Sequence, residues 1–196
     1  MSDDPLLGCR LKLFQAYLHL QSLEEEVERF LSTDSEQPPP HLGVIVGDFL
    51  HNLSCVLDHL VWQLVLLNGK TPTRANQFPI TRSPERFEEI AEDRLRGVAG
   101  EHRQLIEGFQ PYLVEGGNPS EHHLAVLHEL SNIDKHRFVH PVVVVGDANT
   151  RRVTFTELGA TMEALGELNI YMTYGVMKRF ERLFPLPAHV LAREAS

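Results

Sequence analysis

The sequence predicts a mainly α, single-domain helical bundle with a small antiparallel β-hairpin near residues 142–156. Three observations lead there. Apolar residues recur at helical spacing through most of the chain. Proline clusters and cap signals cut that pattern into helix-length pieces. One short alternating run, from Arg152 to Thr156, breaks the helical period. A chain of 196 residues with 42% hydrophobic content can bury one compact core. We therefore take 1–196 as one helical domain, with a proline-rich inter-helix linker at 33–42 and a flexible tail at 185–196.

The first helix is expected over 6–32. Leu6, Leu13, Tyr17, Leu20, Leu23, Val27 and Leu31 are spaced for one face, and Glu24, Glu25, Glu26 and Glu28 form its wet side. Pro38, Pro39 and Pro40 then stiffen a polar connection and end that helix. From His41 to Gly69 there is no Lys, Arg or Glu, the residues that usually coat a solvent-facing helix. This second helix is expected to be buried on most sides. Phe49, Leu53, Val56, Leu57, Leu60, Leu64 and Leu67 share its apolar stripe. Its other side collects His51, Ser54, Cys55, Asp58 and Trp62, with Asp48, Asn52, His59 and Gln63 alongside. Intramembrane Asp and His would be costly, so a membrane span of roughly 20 apolar residues is not expected here.

Residues 70–84 contain Pro72, Pro79 and Pro84 and read as loop. Ser83-Pro84-Glu85-Arg86 then opens a third helix to about Arg96. A fourth runs from Val98 to Phe109 and stops at Gln110-Pro111-Tyr112. Asn118-Pro119-Ser120-Glu121 has Asn at N-cap, proline at N1 and Glu at N3, and so opens a fifth. On it Leu124, Leu127, Leu130 and Phe138 face inward together with Asp134, and Arg137 flanks them. Val142–Val145 and 152–156 form the hairpin across Gly146-Asp147-Ala148-Asn149. A last helix covers 161–184, stopped by Pro185.

Composition removes several functions. The chain holds 18 basic and 27 acidic residues, a net charge of -9 that opposes unspecific nucleic-acid binding at long range. Cys9 and Cys55 are its only cysteines, without metal-type or redox-type spacing, which suits a reducing compartment. Met1-Ser2-Asp3-Asp4 is acidic where a signal peptide is basic, and the expected location is the cytoplasm. No membrane partner is expected, a homo-oligomer is left open, and no cofactor fingerprint is present. Gly97, Gly100, Gly116 and Gly117 do not make a phosphate loop, and there is no Gly-x-Ser-x-Gly. Arg94, Arg96 and Arg103, the group Lys178, Arg179 and Arg182, and the triplet Glu121-His122-His123 all read as solvated helix surface.

The runs Gly47-Asp48-Phe49-Leu50-His51-Asn52-Leu53, Leu57-Asp58-His59-Leu60, Phe78-Pro79-Ile80, Gln110-Pro111-Tyr112 and Asn132-Ile133-Asp134-Lys135-His136-Arg137 occur in this order over residues 41–140. In them the chain resembles a widespread family of bacterial proteins with no established activity, substrate or cofactor. The resemblance implies a shared fold. The family pattern has an Arg after His-Asn-Leu, where this chain has Ser54, and a longer connection between the first two helices. Any role the family gives that Arg would be altered here.

The candidate site is the polar set His51, Asn52, Asp58, His59, Asp134, Lys135, His136 and Arg137. Read structurally, these side chains satisfy one another as a buried His/Asp/Arg network, with Asp134 taking His51 or His59 and Asp58 taking Arg137 or Lys135. The protein is then a non-catalytic binding or interaction module, with Phe49, Trp62 and Tyr112 lining a small cavity over the network. Read as an enzyme, His beside Arg and Lys could serve phosphotransfer or a metal-independent RNA cleavage similar to HEPN-type helical ribonucleases. Their signature places His four to six residues after Arg. Here the order is His136-Arg137, with His140 only three on. Read as a metal site, His51, Cys55 and Asp58 lie on one helical stripe that Asp134 or His136 could complete, His51 and Asp58 being the ligand candidates.

Overall fold

The computed structural model describes residues 4–136, 141–146, 152–155 and 160–184, the backbone alone at 135 and 136. Arg137, Phe138, His140, the hairpin loop 147–149, Thr156 and the tail 185–196 lie outside the described residues, as do the side chains of Lys135 and His136.

The long helices α1 (Leu7–Leu31) and α2 (His41–Leu67) follow the predicted spans closely. They run antiparallel: His41 meets Glu26 at 3.6 Å at one end. Near the other, the Cys9 thiol lies 3.9 Å from the Val56 carbonyl. Leu42, Val46, Phe49, Leu50, Leu53, Val56, Leu57, Leu60, Val61 and Leu64 make α2 the central element of the core. By length and composition alone α2 is long and apolar enough to cross a membrane, and over half of its most apolar stretch is buried within the fold. The first turns of α1 expose Leu7, Leu11, Phe14 and Leu18.

Ser83 caps α3 (Pro84–Arg94), its hydroxyl accepting from the Arg86 amide, as the Ser-Pro signal predicts. α4 is Gly100–Glu107. The Asn118 signal is realised differently. Asn118 accepts from the Ser120 amide, but Pro119–Glu121 is only a 3₁₀ turn, and His122 is extended. α5 starts one step later, as His123–His136, with His122 in the N-cap place and its Nδ1 accepting from the Leu124 amide at 3.2 Å. The proline favours a tight turn, and an imidazole replaces Asn118 as the cap of the helix proper.

The hairpin pairs β1 (Val142–Val145) with β2 (Arg152–Phe155) antiparallel, Val142 opposite Phe155. Val153 and Phe155 are buried, as the alternation predicts. The last helix, α6, starts at the Thr161 cap as α-helix over Met162–Ile170, widens to π-helix over Tyr171–Met177 and closes as α-helix over Lys178–Glu181. Nothing in the periodicity marks that widening. The described residues thus form a mainly helical protein of six helices with a two-stranded antiparallel sheet.

Candidate functional site

α2 and α5 pack antiparallel, and their motifs meet at two places. At one, the carboxylate of Asp134 lies so close to Gly47 that a β-carbon there would stand 2.8 Å from its Cγ. At the other, the hydroxyls of Ser54 and Ser131 share a 2.8 Å hydrogen bond. The glycine and the aspartate singled out in the sequence are thus steric partners across one interface.

The buried His/Asp/Arg network is not found among the described residues. His51, Asp58 and His59 are exposed, and Asp134 is half-buried. His51 turns to Cys55 on its own helix, 3.4 Å away. His59 leans toward α1, its Nδ1 3.1 Å from where a β-carbon on Gly8 would stand. Asn52 is buried, yet its amide donates to the Asp48 carbonyl one turn back. The lack of Lys, Arg and Glu on α2 does not mean burial on most sides: its exposed face carries Asp48, His51, Asp58 and His59 together with Val44, Trp62, Leu66 and Leu67. Phe49 belongs to the core, Trp62 is 43% exposed, and Tyr112 donates to Glu107. None of the three lines the cleft between α2 and α5.

That cleft forms one turn further along. It encloses about 240 Å³ between α2, the 70–83 loop and α5. Leu57, Phe78 and Ile80 give it an apolar floor. Asp58 and Ser54 come from α2, His128, Ser131 and Asn132 from α5, Gln77 from the loop and Arg94 from the end of α3. The Asp58 carboxylate accepts from the Phe78 amide at 2.9 Å, tying the loop to α2. His128 pairs with Asn132, 3.1 Å away on the next turn. Arg94 makes no ion pair among the described residues.

Three side chains fasten the loop that closes this cleft. Asn76 is buried; its amide donates to the carbonyls of Arg94 and Arg96, at 3.0 and 2.9 Å, and its oxygen accepts from the Thr73 amide at 2.7 Å. Gln110 is 1% exposed and spans two motifs. Its oxygen accepts from the Thr81 amide at 3.0 Å, and its nitrogen donates to the Pro79 and Ile106 carbonyls at 2.8 and 3.2 Å. Asp58 is the third fastening. The Phe-Pro-Ile and Gln-Pro-Tyr motifs are thus halves of one clamp. Sequence reasoning found Asp58 and the motif Gln110 but missed Asn76, Arg94, His128 and Ser131. A buried Asn amid prolines was the available signal.

Elsewhere, His122 and His123 are half-buried against Tyr171, not a solvated surface triplet. The His123 and Tyr171 rings stack at 4.6 Å, and His122 meets Tyr171 edge-on at 5.5 Å. Burial, then the neighbouring His123, holds the His122 pKa below its ordinary value. Burial also pushes the Cys9 thiol up to about 12, which leaves it an unreactive core residue. Among the described residues no three His, Cys, Asp or Glu side chains group around a common point, so the stripe of His51, Cys55 and Asp58 does not make a ligand set with them. No family model matches the chain, and no curated protein or solved structure matches it either.

Proposed function

We propose that the protein is a non-catalytic binding module whose α2–α5 cleft takes a small polar ligand about the size of an amino acid, bearing an anionic group and N–H or O–H donors. The observation that carries this reading is that one cavity of about 240 Å³ combines an apolar floor with an acid, Asp58, and a cation, Arg94. Binding sites commonly combine an apolar lining with a few orienting polar groups. The Arg94 guanidinium suits a carboxylate or phosphate oxygen pair, and Asp58, with His128 and Asn132, suits the donors. A nucleophile–base pair would favour catalysis. Instead the cleft hydroxyls of Ser54 and Ser131 bond each other.

The test is a thermal-shift screen of small carboxylates, amino acids and phosphorylated compounds on the full chain, followed by calorimetry on each hit. Arg94→Gln is expected to weaken a true ligand about tenfold, the loss of one charge-assisted contact. If no compound raises the melting temperature, or if hits bind Arg94→Gln unchanged, the cleft is not the site.

A further inference from the structure

Wide helical turns recur at functional sites, and Tyr171–Met177 forms one. Beside it lies a second cavity of about 380 Å³ that shares no lining residue with the α2–α5 cleft. Tyr171 and Tyr174 of the π segment, Phe109 opposite, and Lys178, Arg179 and Arg182 from the end of α6 line it, and no Asp or Glu does.

The one acid within that basic run is drawn off. Glu181 meets Arg10 at 3.3 Å and Lys178 at 3.4 Å, while Arg179 and Arg182 make no ion pair among the described residues. The Arg179 guanidinium sits 5.6 Å over the Phe109 ring, which stacks on Phe180 at 5.7 Å. An aromatic face holds the cation in place without using its N–H donors. Tyr171 is fixed too. His123 stacks on one face, His122 comes within 3.4 Å of its hydroxyl, and Gly175 leaves room for the ring, since a β-carbon there would stand 3.3 Å from it.

We propose that this cavity binds a phosphorylated aromatic compound of mononucleotide size. Arg179 and Arg182 fork onto the phosphate oxygens, and the tyrosine rings flank the aromatic part. A single nucleotide fits better than a strand. The cavity, open to solvent on one side, has one small ligand's volume, about 380 Å³, and the net charge of -9 repels a polyanion.

The experiment is isothermal titration of the full chain with adenosine and uridine monophosphates, adenosine, inorganic phosphate and a 20-nucleotide single strand. Saturable binding of a monophosphate, weakened about tenfold or more in Arg179→Gln/Arg182→Gln and in Tyr174→Ala, and absent for adenosine, supports the proposal. These exposed positions can change without loss of fold, which circular dichroism checks. Failure of both monophosphates to bind at millimolar concentration overturns it. So does binding that survives the double variant, or binding that only the strand shows. A response lost in Arg94→Gln instead would assign nucleotide recognition to the α2–α5 cleft and equally overturn it.

Discussion

The carboxylate of Asp134 rests directly over the backbone of Gly47, where a β-carbon would stand 2.8 Å from its Cγ. Glycine in mid-helix ordinarily weakens a helix by roughly 0.5–1 kcal/mol relative to alanine. Here the close approach outweighs that cost. Gly47→Ala is expected to destabilise by about 1–3 kcal/mol, as overpacking does. In an Asp134→Ala background the same change should cost less or become favourable. Urea denaturation of the four-member cycle measures the coupling; additive effects would mean that the two residues do not oppose each other.

Asp58 supplies an acceptor to a backbone donor. Its contact with the Phe78 amide predicts that Asp58→Ala costs about 1–3 kcal/mol, because that amide loses its partner. Asp58→Asn keeps an acceptor oxygen and should cost clearly less. Equal losses in chemical denaturation would show that charge, not acceptance, matters at this position.

Gln110 both accepts and donates, and no other residue type can satisfy the same three groups, the Thr81 amide and the Pro79 and Ile106 carbonyls. Gln110→Ala should destabilise by roughly 3 kcal/mol, leaving the Thr81 amide and the Pro79 carbonyl unsatisfied. Gln110→Glu keeps the shape but loses the donor to Pro79 and Ile106. Its loss at neutral pH is expected to be at least as large, and a near-neutral Glu variant would refute the clamp.

His122 makes stability depend on pH. Its folded pKa lies below the ordinary value of 6.5, chiefly through burial. The unfolded chain therefore takes up a proton that the folded chain resists. The stabilisation is complete above about pH 6.5 and is lost as pH falls through the folded pKa, with a slope of at most about 1.4 kcal/mol per pH unit. His122→Asn keeps a cap for the Leu124 amide but does not titrate. The difference between wild type and variant should narrow as pH drops from 6.5; a constant difference would rule out this linkage.

The architecture was legible because periodicity reports burial. The apolar rows of α1 and α2, apart from Tyr17 and Leu67, which are exposed, the Ser83 cap and the alternation of Val153 with Phe155 each name a local geometry. The site was harder to read. The Asp and His residues on α2 stood out, but a one-dimensional pattern does not tell an exposed face that carries them from a polar interior. The second side of the cleft comes from Arg94, His128 and Ser131, far off in sequence and unremarkable in their own segments. The π segment of α6 left no mark for a different reason. Its Tyr171 packs against His122 and His123 of another segment, tertiary contacts with no periodic signature.

The fastening of the 70–83 loop also sets an order of events. The amides of Phe78 and Thr81 donate to side chains of Asp58 and Gln110, 20 and 29 residues away in sequence, not to a helical or strand ladder. Closing such distant contacts requires α2 and the end of α4 to be in place already. The loop is therefore the late-forming rim of the molecule and the first part to open. In native-state hydrogen exchange these two amides should swap deuterium through a partial opening that leaves the amides of α2 protected. The walls of the cleft can come apart without the bundle unfolding.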